Sequence, residues 1–398
     1  MRKWFQAQLH ELGGKPVRYW IHVAIFIGIG LWAGEWIAHQ NIWMSWRRSC
    51  YHWLHDRVPL KPQPATVLVL IGDEEYWSEE LAGRVPISRE YLARLVTAVA
   101  AESPAVIALD FNLESPSVEG KPIDFDRYAK ETNDLVKAIS EVPRTSAVVL
   151  PKTTRTSALG HYLENSAVYD AHDFRQAKIS KGYISLPKDF RKIPLFTMKV
   201  QNGGLLDSFS QAIVRAKKPR ARLDNPNATL PSSAFVSLEA FTHVSAKDVL
   251  NGERKALDEL GHNLVIIGGR WHANGHDRGK LIDLHDSPLG LMSGALLHAN
   301  YVEAILNARL YWEWKPTALR VIEITAAVLL ALVFALKTGP FIQGIAVALI
   351  VLALVGTSVL SLLAFASVFD FSIPVIIIIG HALVERFAER KKLGTSTE

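Results

Sequence analysis

Residues 65–72 read ATVLVLIG, a continuous apolar run that ends at a glycine and passes directly into Asp73, Glu74 and Glu75. A stretch that is apolar at every position suits a strand covered on both faces, and the acids mark where it emerges into a loop. Ser88 then offers an N-cap, and residues 89–102 place Leu92, Leu95, Val96 and Val99 on one helical face before Pro104 stops the helix. Residues 105–111, AVIALDF, form a second buried strand. Strand, helix and strand in this order make a βαβ unit, so the two strands are expected to be parallel.

The same pattern extends in the C-terminal direction. Residues 132–142 read as a helix and 146–150 as a strand of the same sheet, while 151–181 are polar and aromatic without clear periodicity and read as an excursion. A short strand over 182–186, a helix over 206–217 and a short helix over 245–251, ended by Gly252, follow. Residues 263–269, NLVIIGG, are the third strongly buried strand, and 291–308 form the last helix before Trp312 and Trp314. No internal repeat or low-complexity tract is present.

Both flanks of this α/β region are too apolar for a soluble domain, and the mean hydropathy of the whole chain is +0.12. Segments 19–39, 316–337, 341–364 and 371–388 each have the length and composition of a transmembrane helix, which needs about 20 apolar residues. A cleaved signal peptide is the rival reading of the first, but no small-x-small site follows it, and Trp43, Trp46, Arg47 and Arg48 suit a membrane interface. Arg2, Lys3, Lys15 and Arg18, then Lys337, then Arg386, Arg390, Lys391 and Lys392 all fall on one side of a four-span topology. The positive-inside rule makes that side the cytoplasm. The expected organisation is thus a cytoplasmic tail (1–18), an anchor (19–39), an extracytoplasmic α/β domain with a largely parallel sheet flanked by helices (40–315), three further spans and a cytoplasmic tail (389–398). The expected location is the inner membrane of a bacterium, as a multi-pass protein.

The net charge of +5 is modest and does not indicate nucleic acid. The densest basic run, 215–222, is interrupted by Pro219, has no aromatic for stacking, and reads as a solvated loop. A single cysteine, Cys50, excludes an intrachain disulfide and leaves only pairing between chains. No Gly-x-Ser-x-Gly elbow and no phosphate-binding loop is present.

Chemistry-bearing residues gather after the buried strands. Asp73, Glu74 and Asp110 stand at the carboxyl ends of two parallel strands, where open α/β sheets place a ligand crevice. Carboxylates there can hold a cation, accept hydrogen bonds, act as a base, or simply cap the following turn. The loop after residue 269 adds His272, His276, Asp277, Asp283, His285 and Asp286. Histidine and carboxylate are competent metal ligands, yet the spacing matches no defined metal signature, so a metal is left open. The ligand-binding candidates are Asp73, Glu74, Asp110, His272, Asp277, Asp283 and His285. His298, between Leu297 and Ala299 in the last helix, reads as a core histidine, and Glu35 and Glu323 are carboxylates within expected spans.

Residues 56–314 resemble the type-2 CHASE domain, an extracellular sensory module associated with bacterial cyclases and histidine kinases. The resemblance rests on Asp56-Arg57, VLVLIGDEE from Val67, Pro86 with Arg89, AVIALDF with Asp110, Asp134 before a helix, and Gly182. It continues through Arg191 with Pro194-Leu195, Val249-Leu250-Asn251-Gly252, NLVIIGG, Asp283-x-His285-x-Ser287-Pro288 and His298-Ala299. Val85 stands where the family usually has tryptophan, and Asp189-Phe190-Arg191 replaces an expected Asp-Gly before the arginine. The resemblance implies a sensor, and the short tail after the last span leaves no room in this sequence for an output domain. The expectation is therefore a non-catalytic membrane sensor or regulatory subunit, without cofactor, that relays an extracytoplasmic ligand or partner to a separate effector in the cytoplasm or membrane. A homo-oligomer is compatible with this. The alternatives are a structural or pore-forming membrane component and, less favoured, an extracytoplasmic hydrolase.

Overall fold

The computed structural model describes residues 64–114, 125–157, 162–174, 177–186, 197–201, 204–219, 235–273, 280–287, 289–307, 312–313, 316–335, 340–365 and 367–368, with isolated residues before 64. The chain divides into two compact units, Pro59–Leu310 and the remainder.

The first unit is built on a six-stranded sheet. Its strands are β1 (Thr66–Ile71), β2 (Val106–Asp110), β3 (Ala147–Lys152), β6 (Lys178–Tyr183), β9 (Thr242–Ser245) and β10 (Leu264–Gly269). Between β3 and β6 the excursion forms a separate hairpin, β4 (Thr154–Thr156) with β5 (Tyr162–Glu164), and before β9 lies a second, β7 (Thr197–Lys199) with β8 (Leu205–Asp207). The sheet order is β6-β3-β2-β10-β1-β9, and every pairing in it is parallel. β10, the last of these strands in the chain, inserts between β1 and β2, with Ile71 opposite Gly269 and Gly268 opposite Asp110.

Helices cover both faces. Val67, Val69, Ile71, Ile107, Leu109, Val265 and Ile267 turn to one face. There they pack on α2 (Arg89–Ala101), α3 (Phe125–Ser140), α5 (Ala246–Leu250) and α6 (Arg254–Asp258), while the short α1 (Asp73–Tyr76) follows β1 directly. Leu68, Leu70, Val106, Ala108, Leu264 and Ile266 turn to the other, packing on α4 (Phe209–Lys217) and α7 (Gly294–Leu306). Strict alternation within all-apolar strands is what a sheet buried on both sides demands. Leu92, Leu95, Val96 and Val99 of α2 are fully buried, each worth about 1.5–3 kcal/mol relative to exposure. Ser88 caps α2 by accepting from Tyr91 N at 3.3 Å.

Several boundaries differ from the sequence reading. Helix α4 begins at Phe209 rather than 206, because Leu205–Asp207 pairs in a hairpin and Ser208 takes the N-cap, accepting from Gln211 N at 3.2 Å. Likewise, the last helix starts at Gly294 rather than 291, since β12 (Gly290–Ser293) pairs with β11 (Leu284–Ser287). The strand expected over 182–186 is β6 (Lys178–Tyr183). Gly182 within it is required by close approach: a Cβ there would lie 2.6 Å from the Phe209 Cα. Helix α3 starts at Phe125, so Asp134 lies inside a helix rather than before one. Arg215 and Lys217 of the basic run lie in the last turn of α4, not in a loop, and Arg215 pairs with Asp207 at 2.6 Å.

Buried polar groups tie these layers together. The Glu303 carboxylate accepts from Ala65 N and Thr66 N, both at 2.9 Å, and from Thr66 Oγ1 at 2.6 Å, which fastens α7 to the start of β1. Arg89 lies 3.8 Å over the Tyr128 ring and donates to Thr132 Oγ1 and the Glu114 carbonyl. Burial lowers its guanidinium to about 10. Lys152, at the end of β3, holds the excursion by donating to Asp170 Oδ2 at 2.6 Å.

In the second unit, α8 (Pro316–Ala335) and α9 (Pro340–Phe365) are helical within the segments 316–337 and 341–364. Among the described residues, 341–361 form one helical stretch long and apolar enough to cross a membrane, with a mean hydropathy of 2.4. Trp312 pairs with Ser367, which brings the start of α8 beside the end of α9, as in an antiparallel helical hairpin. The Arg320 guanidinium donates to Glu323 Oε2 at 3.1 Å, one helical turn on, so this carboxylate is paired. Segments 19–39 and 371–388 lie outside the described residues, apart from isolated positions in the first.

Candidate functional site

Because every strand is parallel, all carboxyl ends share one edge of the sheet. β2 leaves that edge toward α3 on one face, whereas β10 leaves it, through the β11–β12 hairpin, toward α7 on the other. Adjacent strands whose connections diverge open a crevice between them, and ligands of open α/β sheets bind there. Asp110 and Gly268 face each other at this point.

Asp110 is the last residue of β2 and turns to the α7 face by strand alternation. Its side chain is 9% exposed, and the Nε2 of His298, on α7 and 2% exposed, lies 3.7 Å from Oδ1. That is beyond hydrogen-bonding distance. Gly268 permits this packing, since a Cβ there would stand 2.5 Å from that of Ala295 in the first turn of α7. One residue earlier, the carboxylate of Asp283 rests against Gly294, while Gly294 N donates to the Asp283 carbonyl at 3.1 Å. Asp283 adopts a left-handed φ of 56°, uncommon outside glycine, and its Oδ1 lies 2.5 Å from Nε2 of His285. The Asp283 carboxylate thus stands at the positive end of α7, whose N-cap Ser293 supplies no side-chain hydrogen bond.

Among the described residues, burial dominates the electrostatics, with no lysine or arginine contributing. Burial, aided by the negative Asp283 and opposed by His285, raises the Asp110 carboxyl to about 7. Burial also lowers the His298 imidazole to about 4, against a favourable influence from Asp283 and from the backbone of Ile184. Among the described residues, no hydrogen bond of ordinary geometry reaches His298 Nδ1. His285 is raised, chiefly by its hydrogen bond to Asp283. Of this cluster, Asp110 is thus pushed up toward neutrality and His285 upward, while burial holds the His298 imidazole neutral.

The remaining candidates are arranged differently. Asp73 and His272 form their own clasp two strands from Asp110: Asp73 Oδ1 accepts from His272 N at 2.7 Å and Oδ2 meets His272 Nδ1 at 2.6 Å. At two strand spacings, β1 and β2 are about 10 Å apart. Trp77 Nε1 donates to the His272 carbonyl and Trp271 stacks on Tyr76 with ring centroids 4.1 Å apart, so the clasp fixes the loop leaving β10. Glu74 is exposed, 3.6 Å from Lys247 Nζ. His276 and Asp277 lie outside the described residues. Among the described residues, no group of three or more His, Cys, Asp or Glu side chains is arranged to hold a metal ion. Clefts of about 710 Å³, beside β6 and α4, and about 480 Å³, between α2 and α3, contain none of Asp110, Asp283 and His285.

The sequence reading treated His298 as core. It is buried, as expected, but its neighbour is Asp110, and nothing local to the helix pattern signals that. In the sequence Glu75 reads only as a loop acid; in the structure its Oε1 accepts from Ser245 Oγ at 2.6 Å and its Oε2 from Gly72 N at 3.0 Å, joining the ends of β1 and β9.

These features define a three-layered α/β domain whose acidic and imidazole groups gather at the edge where parallel sheets bind ligands. The CHASE2 domain model matches residues 22–336, and the chain belongs to the CHASE2 family. CHASE2 is an extracellular sensory domain, so sensing outside the cytoplasm is the role the family brings; no catalytic domain is recognised with it. No curated protein and no solved structure matches the chain.

Proposed function

We propose that this protein is a multi-pass sensor or regulatory subunit of the inner membrane. Its α/β domain receives a stimulus at the crevice formed by Asp110, Asp283, His285 and His298 and relays it through the membrane helices to a separate effector. The observation that carries this reading is the double role of α7. Its first turns line the crevice, and its end is joined to α8 by residues 307–315 alone. A stimulus that binds one arrangement of the crevice better than another shifts the population of α7, and differential affinity is the only source of such a shift. Four spans at 19–39, 316–337, 341–364 and 371–388 carry the relay in this reading, with the effector docking on the basic residues Arg386, Arg390, Lys391 and Lys392.

The test is purification of the full chain from native membranes in mild detergent after crosslinking. A specific co-purifying protein, released when the four basic residues are neutralised, is the expected result. Recovery of the chain without any specific partner overturns the effector relay.

A further inference from the structure

We propose that the stimulus read at this crevice is the proton: Asp110 gains and loses one as the external pH changes, and the change in charge beside His298 and the start of α7 is what the domain reports. This rests on the sensor reading for its output and on the packing for its chemistry.

Among the described residues, no lysine or arginine is among the charges that act on Asp110. From β10 the opposing residue is Gly268; the β2–β3 pairing ends at Ala108 with Val149, and Pro151 lies two residues further along β3. Lys152, the next residue, has the strand parity of Val148 and Leu150 and so turns to the other face, where it pairs with Asp170. The β11–β12 hairpin presents Asp283, His285 and Asp286. Helix α7 presents His298 and, further along, Tyr301 and Glu303, the last engaged with β1. From α4, Phe209 packs against His298 with ring centroids 5.0 Å apart, and Arg215, on the last turn, is paired with Asp207.

A carboxyl buried among these groups meets one strong penalty when it ionises, desolvation, and one strong repulsion, from Asp283. Among the described residues, the opposing influence is His285 when protonated, itself hydrogen-bonded to Asp283. The protonated form of Asp110 is thereby favoured until the pH nears neutrality. With the Asp110 side chain 9% exposed and that of His298 2% exposed, this arrangement admits little larger than a proton. Ionisation puts a negative charge 3.7 Å from a neutral, buried imidazole and near the Asp283 carboxylate that stands at the α7 N-terminus. Both contacts bear on α7, the element continuous in sequence with α8.

The experiment follows hydrogen exchange of residues 294–306 by mass spectrometry in the full chain in lipid nanodiscs, from about pH 8.5 to about 5.5, corrected for the intrinsic pH dependence of exchange. Wild type is expected to change protection with a midpoint near neutrality, and Asp110→Asn to lose that transition. His285→Gln, at a more exposed position, is expected to move the midpoint upward, because it removes the positive charge that favours ionised Asp110. Corrected protection that is constant with pH in wild type overturns the proposal, as does a midpoint that survives Asp110→Asn or fails to rise in His285→Gln. A pH-blind α7 in a protein that still captures its effector would retire the proton while leaving the relay intact; loss of the effector alone would do the reverse.

Discussion

The substitution Asp110→Asn is expected to reshape the pH dependence of stability in a direction and size that follow from the buried pair. The Asp110 carboxyl rises from 3.8 to about 7 on folding. Between these values the unfolded chain has released the proton and the folded chain still holds it, so stability falls as pH rises and the penalty is complete above 7. At 1.36 kcal/mol per unit the full penalty is about 4 kcal/mol. His298 falls from 6.5 to about 4, so the folded state holds fewer protons across that window and stability rises with pH there, by about 3 kcal/mol. In wild type the two slopes oppose one another over their shared range and nearly cancel. Asp110→Asn removes one of them. The stability of the variant relative to wild type should therefore climb by about 4 kcal/mol from pH 4 to 7, read from urea unfolding of the full chain in detergent at a series of pH values. Groups common to both proteins drop out of that difference. A difference that is flat with pH, or that declines, would refute the claim that Asp110 is buried as the acid; His298→Phe should show the complementary gain, growing as pH falls below 6.5.

Three further outcomes probe the scaffold and its placement. Leu95→Ala empties a fully buried site of α2 and should cost about 2–5 kcal/mol in the same unfolding assay; a loss below about 1 would show that α2 does not seal that face of the sheet. Glu303→Ala leaves Ala65 N, Thr66 N and Thr66 Oγ1 without their acceptor, for a loss of at least about 2 kcal/mol; Glu303→Gln should retain part of it, and equal losses would mean the three hydrogen bonds contribute nothing specific. A topology reporter fused after Lys392 should be active in the cytoplasm and one inserted near Lys217 active outside, and activity of both on the same side would defeat the four-span topology.

Much of the fold was legible in contiguous residues. The runs at 65–72, 105–111 and 263–269 identified β1, β2 and β10 and their parallel arrangement, because burial on both faces leaves an uninterrupted apolar signature. Ser88 and Gly252 marked helix ends through chemistry confined to one turn, and Gly252 indeed takes a φ of 74°. Legibility failed where a short apolar segment suits two periods: 205–207 and 290–293 pattern like helix starts, yet both are strands whose partners lie in other segments.

The candidate site divides along the same line. Placing Asp73, Glu74 and Asp110 at one sheet edge required only the parallel rule and the position of each acid after its strand. Which of them meet was decided by strand order. β10 enters between β1 and β2, its exit swings α7 across the opposite face, and that carries Asp283, His285 and His298 to Asp110 while leaving Asp73 to His272. Sequence determines local conformation through neighbours along the chain, whereas the charge state of Asp110 is set by desolvation and by groups about 170–190 residues away in sequence, and only tertiary packing brings those together.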